Sequence, residues 1–151
     1  MKELNQQLQI KADIPLPRAS VINVFFTNNW MKDELLLCLK PYDLSLEQFN
    51  VMRILRGQNN NPINLQDIQN RMVTKMSNTT RLVDKLITKG FVKRTICKEN
   101  RRKVEIVITK RGLETLDKLD PVFFDREKQL TQNLTTIELE QLNKLLIKLR
   151  N

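Results

Sequence analysis

Thirteen of the 26 lysines and arginines fall between Arg71 and Arg111, against three acidic residues, Asp84, Glu99 and Glu105. That stretch carries a net +10, while the rest of the chain, with 13 basic and 14 acidic residues, carries −1. Charge gathered in this way does one thing well: it displaces counterions from a polyanion such as a phosphate backbone. A solvated basic face is the alternative reading of the charge alone. Bond-making chemistry is poorly provided for. Histidine is absent, which removes imidazole acid–base catalysis, Ser/His and Cys/His pairs, and most zinc or iron sites. There are 3 glycines, none of them grouped in a phosphate-cradling loop. Cys38 and Cys97 cannot make a disulfide scaffold, and no Cys/Asp cluster has metal-ligand spacing. The expectation is a protein that is not an enzyme and holds no cofactor or metal.

Elements must exist to present that charge. A chain of 151 residues with 40% hydrophobic content suits one globular domain. Few glycines and 5% aromatics favour helices over sandwiches or propellers. The uncharged run from Ala19 to Met31 is too short and Asn-rich to span a bilayer. Nothing resembles a cleavable signal peptide, so a soluble cytoplasmic protein is expected.

Residues 1–17 are rich in Gln and Asn, end in Pro15-Leu-Pro17, and read as an arm. A helix is predicted from Arg18 to about Lys40, stopped by Pro41. Its apolar residues lie on more than one face, so it needs two covers, its own domain and a second subunit. Ser45-Leu-Glu-Gln48 is a capping box opening a second helix, and Gly57 takes the C′ place behind it. Asn64 caps a short third helix with Leu65, Ile68 and Met72 in one stripe.

Ser77 is the predicted cap of the next helix. Leu82, Val83, Leu86 and Ile87 form its inner face; Asn78, Thr79, Arg81, Lys85 and Lys89 form its outer one, and Gly90 ends it. Two short helices joined by a tight turn, the second showing amides, hydroxyls and arginine, are the parts of a helix-turn-helix. Phe91–Ile96 and Val104–Ile108 then read as strands joined by the basic tip Cys97–Lys103, with Ile63 able to add an edge. Thr109 caps a helix bearing Leu113, Leu116 and Leu119, bent or broken at Pro121. Thr135-Thr-Ile-Glu138 boxes a last helix striped with Leu142, Leu145, Leu146 and Leu149.

A helix fits the major groove, where Asn, Thr and Arg meet base edges. Asn78, Thr79 and Arg81 are therefore the candidate base contacts, with Ser77 and Thr80 nearer phosphate. Arg101 and Arg102 at the hairpin tip suit a narrow, electronegative minor groove. Lys75, Lys85, Lys98 and Lys103 would sit on phosphates and position the complex. An intrahelical pair with Asp84 is the competing role for Arg81, and a fold-back onto Glu99 or Glu105 competes for Arg102.

The order of these pieces resembles the MarR (multiple-antibiotic-resistance regulator) family of winged helix-turn-helix regulators. The likeness is carried by Leu44-Ser-Leu-Glu-Gln48, by Ser77-Asn-Thr-Thr-Arg-Leu-Val-Asp-Lys-Leu86, by Lys89-Gly-Phe-Val-Lys-Arg94 and by Asn100-Arg-Arg-Lys-Val104 through Ile108-Thr109. It runs from about Leu44 to Gly112. Asn100 stands where the family pattern has an Asp that braces the wing arginine. The resemblance implies a mostly α fold with a small β-hairpin wing. Residues 45–109 would form the DNA-binding lobe, flanked by dimerisation segments at 1–44 and 110–151 within one compact domain. It further implies a homodimer on a pseudo-palindromic double-stranded operator, most often a repressor. A small aromatic or apolar effector would sit against Phe25, Phe26, Trp30, Tyr42, Phe49 and Met52, residues that helical spacing alone reads as core. Cys38 reads as an inert core residue and lies too close to Ser45 for the family's peroxide-sensing position; Cys97 reads as an ordinary strand-end residue, although the cations around it favour a thiolate. A winged-helix protein-interaction module without DNA binding is the alternative, and the clustered charge argues against it.

Overall fold

The structure is a computed structural model describing residues 2–7, 9, 14–74, 78–96 and 104–151. Over those residues the chain forms α1 (Lys2–Gln7), α2 (Leu16–Leu39), a 3-10 turn (Lys40–Tyr42), α3 (Leu46–Arg56), α4 (Leu65–Arg71) and α5 (Thr79–Thr88). The strands β1 (Val92–Ile96) and β2 (Val104–Ile108) follow, then α6 (Lys110–Thr131) and α7 (Thr136–Arg150). This is the expected mostly helical winged fold.

Local chemistry sets most boundaries. The Gln48 amide donates to Ser45 Oγ at 3.2 Å while the Ser45 amide donates to Gln48 Oε1 at 3.0 Å, a complete capping box at the start of α3. Asn64 Oδ1 accepts from the Asp67 amide at 2.8 Å and opens α4. Thr135 and Glu138 repeat the box at α7, where the Thr135 amide and hydroxyl hold the Glu138 carboxyl below its ordinary range.

Four expectations need correcting. The N-terminal arm includes helix α1, and α2 begins at Leu16, with Pro17 in the first turn, where a missing N–H costs nothing. Asn78, one residue beyond Ser77, caps α5 by accepting from the Arg81 amide at 3.0 Å. Gly57 keeps a right-handed backbone at the end of α3, and Asn59 and Asn60 supply the positive φ of the following loop. Of the bend or break expected at Pro121, the break does not occur: α6 runs unbroken to Thr131. Contacts on both sides of the proline hold the helix: Asp120 pairs with Arg56 of α3, Phe123 stacks on Phe49 with ring centroids 4.6 Å apart, and Arg126 pairs with Glu34 of α2 at 3.1 Å. They act against the roughly 3 kcal/mol an interior proline costs.

The core is one cluster. Leu39, Met52, Leu55, Ile68, Val83, Leu86, Ile106, Leu116 and Leu119 are all fully buried where the end of α2, α3, α4, α5, β2 and the first half of α6 meet. The hairpin is antiparallel, with Val92 opposite Ile108 and Arg94 opposite Ile106. Alternation sends Ile106 and Ile108 inward. Ile63 adds the expected edge, exchanging backbone bonds of 3.1 and 2.8 Å with Ile106.

The root of the hairpin is joined tightly to α6. The Thr109 hydroxyl donates to the Gly90 carbonyl at 2.7 Å and accepts from the Gly112 amide at 3.1 Å, capping α6 while tying it to the end of α5. Gly90 turns the chain with φ +75°. Gly112 has another purpose: a Cβ there would meet the Phe91 carbonyl oxygen at 2.3 Å, so only glycine lets the helix lie this close.

Candidate nucleic-acid interface

The recognition surface begins with α5. Val83 and Leu86 anchor it inward, and Asn78, Thr80, Arg81, Asp84, Lys85 and Thr88 face solvent. Thr79, expected on the outer face, is 5% exposed and lies inward. The reason is periodic: Thr79, Val83 and Leu86 are i, i+4 and i+7, one stripe of the helix. Asn78 has its Oδ1 committed to the cap, which leaves its amide NH2 facing out. Lys75, Ser77, Lys98, Arg101, Arg102 and Lys103 lie outside the described residues, as does Cys97.

Two ion pairs organise the charges around α5. Arg94 on β1 reaches Asp84 on α5, Nη2 to Oδ1 at 2.9 Å. Lys89, at the C-terminal cap of α5, pairs with Asp43 Oδ2 at 2.9 Å and also donates to the Asp43 carbonyl. Asp43 sits in the left-handed region at φ 51°. The Lys89 hydrogen bond and charge hold its carboxyl below the ordinary range, with Lys85 adding a smaller pull. Asp84 is thus taken by Arg94, and the pairing of Asp84 with Arg81 does not form. Among the described residues Arg81 has no ion-pair partner and Lys85 has none, so both offer unneutralised charge to a ligand. Lys93, Arg94 and Thr95 extend the exposed surface onto β1.

The six residues expected to form an effector pocket are not brought together within the chain. Phe25 is 64% and Trp30 45% exposed on α2, Phe26 is also exposed, Tyr42 is half-buried, and Met52 is sealed in the core. Phe49 alone of the six lines a cavity of about 340 Å³ that sequence reading missed. Its walls come from α2 (Asn28, Lys32, Leu35), α3 (Leu46, Glu47, Phe49, Asn50, Arg53), Phe123 of α6, and Met72 to Thr74 ahead of α5. Arg53 lies over the Phe49 ring at 5.6 Å, and the buried Asn50 Oδ1 has no donor among the described residues. Phe123 was within reach of the pattern, since Leu116, Leu119 and Phe123 continue one stripe through Pro121. Arg53, Lys32 and Asn50 carry no such signal, because nothing local brings α2 and α3 together there. Cys38 is buried at the end of α2. No helix of the described residues is long and apolar enough to cross a membrane, and no group of three or more Cys, Asp or Glu among them is placed to hold a metal.

Outside the lobe, large apolar side chains stand in solvent. Val21, Val24 and Phe25 on α2, Val122 and Phe124 on α6, and Ile137, Leu145, Ile147 and Leu149 on α7 are all exposed, and α7 has no buried residue.

Known proteins share this arrangement. The MarR family pattern matches residues 44–104. The uncharacterized HTH-type regulator YfiV of Bacillus subtilis is 35% identical over 82 residues, which is 54% of this chain and 44% of that protein. The chain thus spans less than half the length of that relative. The uncharacterized HTH-type regulator YkoM, also of Bacillus subtilis, is 31% identical over 109 residues, covering 72% of this chain and 70% of YkoM. A mutant MarR from E. coli complexed with operator DNA superposes with a TM-score of 0.76 at 27% identity, covering 89% of this chain and 94% of that one. With helix-turn-helix, hairpin and sequence pattern all in agreement, the chain belongs to the MarR family of winged-helix regulators.

Proposed function

We propose that this protein is a sequence-specific DNA-binding transcriptional regulator, acting as a homodimer on a pseudo-palindromic operator and most often as a repressor. The observation that carries the reading is the outward row of α5. Asn78, Thr80, Arg81 and Lys85 are exposed on a helix whose opposite face is locked into the core, inside the segment that holds all the excess positive charge. Arg81 reads a base edge, Asn78 offers its free amide beside it, and Thr80 and Lys85 sit on phosphates. Residues 45–109 form the DNA-binding lobe, with Lys75, Ser77 and the hairpin-tip cations Lys98, Arg101, Arg102 and Lys103 completing the footprint.

The exposed apolar faces of α2, α6 and α7 support the dimer, since a symmetric second copy is the commonest cover for such a surface. Two lobes then meet half-sites about 34–36 Å apart. The cavity against Phe49 supports ligand response: the Phe49 and Phe123 rings, with Lys32, Arg53 and Glu47 also in the walls, suit a small aromatic or apolar effector. The protein acts in the cytoplasm and is not an enzyme.

Fluorescence anisotropy on an operator selected from random duplex tests the reading. If about 6 to 10 phosphates are contacted per dimer, affinity falls by roughly 10³ to 10⁵ between 50 and 200 mM salt. A flat salt response overturns DNA binding and favours the protein-interaction module. Titrating aromatic hydroxy acids while following Trp30 fluorescence and operator release tests the ligand arm.

A further inference from the structure

Arg81 and Asp84 stand three residues apart on α5, the spacing at which a guanidinium and a carboxylate pair along a helix. They are not paired. Asp84 Oδ1 instead takes Arg94 Nη2 from β1 at 2.9 Å. Asp84 is also the single acidic residue between Arg71 and Lys98. It is therefore the one anion carried by the recognition helix, and the hairpin strand occupies it.

We propose that Arg94 is a positioning residue for sequence readout: by holding Asp84 it keeps the Arg81 guanidinium free to meet a base. The argument is one of competition for a single carboxylate. Reading guanine bidentately needs two N–H groups of the same fork and an unneutralised charge. A guanidinium leaning on Asp84 has lost part of both. Arg94 wins the carboxylate because it comes from a strand already fixed by the ladder, with Arg94 held opposite Ile106. Little additional freedom is lost when its side chain reaches across. The same contact ties the hairpin to the helix, so readout in the major groove and the approach of the wing share one bond. The proposal rests on Arg81 being a base reader, and its test separates the two ideas.

Arg94→Met, Asp84→Asn and the double variant are compared with the unaltered full chain, each checked for fold by circular dichroism. Arg94→Gln serves as a milder form of the first. The first measurement is the Arg81 side-chain Nε–Hε signal in DNA-free protein, followed by ¹⁵N NMR. The second is binding to a panel of single-base variants of an operator selected from random duplex. Arg94→Met should shift the Arg81 signal to that of a carboxylate-bonded guanidinium and cut discrimination at one base position per half-site by about tenfold. Asp84→Asn should leave both readouts as in the unaltered protein, and the double variant should restore them. An Arg81 signal indifferent to the loss of Arg94 overturns the proposal, whatever happens on DNA. Equal weakening on every sequence in both single variants, unrepaired in the double, also overturns it and leaves a plain brace. If the Arg81 signal moves and returns while base discrimination never changes, the competition stands and the base-reading role of Arg81 is what fails.

Discussion

Phe123 and Phe124 are neighbours on α6, yet they serve two differently built regions. Phe123 is 6% exposed, stacked on Phe49 and enclosed by the lobe that carries the recognition helix. Phe124 is 55% exposed, with Lys128 Nζ 4.3 Å from its ring centroid. What holds for these two side chains holds for their surroundings. The lobe buries Met52, Leu55, Ile68, Val83 and Leu86 against partners within the chain, and its helices are capped by Ser45, Asn64, Asn78 and Thr109. The large apolar side chains of α7 and of the outer faces of α2 and α6 meet solvent instead. One region is stabilised by its own contacts. The other is the face on which the proposed dimer would close, and that pairing would depend on protein concentration.

The largest test of that contrast removes α7. Deleting residues from Thr135 onward should give monomers or insoluble protein in sedimentation, and operator affinity should fall by roughly 10² to 10⁴ as two linked lobes become one. A truncated chain that remains dimeric would place the interface elsewhere. Next come the neighbours. Phe123→Ala should cost about 3–5 kcal/mol in urea unfolding at any protein concentration. Phe124→Ala should leave the lobe intact and instead raise the dimer dissociation constant, read as a melting temperature that falls on dilution. If both variants behave alike, the two regions are not separable.

Within the lobe the effects are smaller. Arg81→Ala should relax discrimination at one position per half-site by about 1–3 kcal/mol. Lys85→Ala should weaken all sequences about equally and lower the salt slope by about 1. The smallest effect concerns Asp43, which lies outside both the core and the exposed apolar layer. Its carboxyl is held below the ordinary range by Lys89, so its contribution is present above the unfolded value of about 3.9 and lost as pH falls through the folded one. Asp43→Asn should therefore differ slightly from the parent near pH 7 and converge with it in urea melts at more acidic pH.

How much of this was legible in the sequence follows the range of the forces involved. The boxes at Ser45 and Thr135, the caps at Asn64 and Thr109, and the strand from Val104 to Ile108 are settled within a few residues, and each stands where the pattern puts it. Ser77 and Asn78 are both competent caps, and propensity does not choose between adjacent ones. Extending the stripe of Val83 and Leu86 back by four would have turned Thr79 inward. Pro121 misleads because a local breaker is overridden by contacts with α2 and α3 that are distant in sequence. The cavity at Phe49 was misplaced for the same reason. Aromatic residues signal that something is buried, but not which helices converge on it.

The glycine at the root of α6 has a mechanical consequence. With no side chain at Gly112, the α6 backbone lies against the Phe91 carbonyl at the root of the hairpin, with the Ile108 side chain packed beside it. From that joint to Thr131 the helix is a shaft about 28 Å long. Turned by about 5° at its far end, such a shaft displaces one end against the other by about 2.5 Å, close to the length of the hydrogen bonds a base contact depends on. In the proposed dimer, a close joint of this kind would make the hairpin and α5 report the angle at which two copies meet. Gly112→Ala would put a soft or broken joint where the molecule has a stiff one, and the lobes would then lose their common setting while each remained able to touch DNA alone.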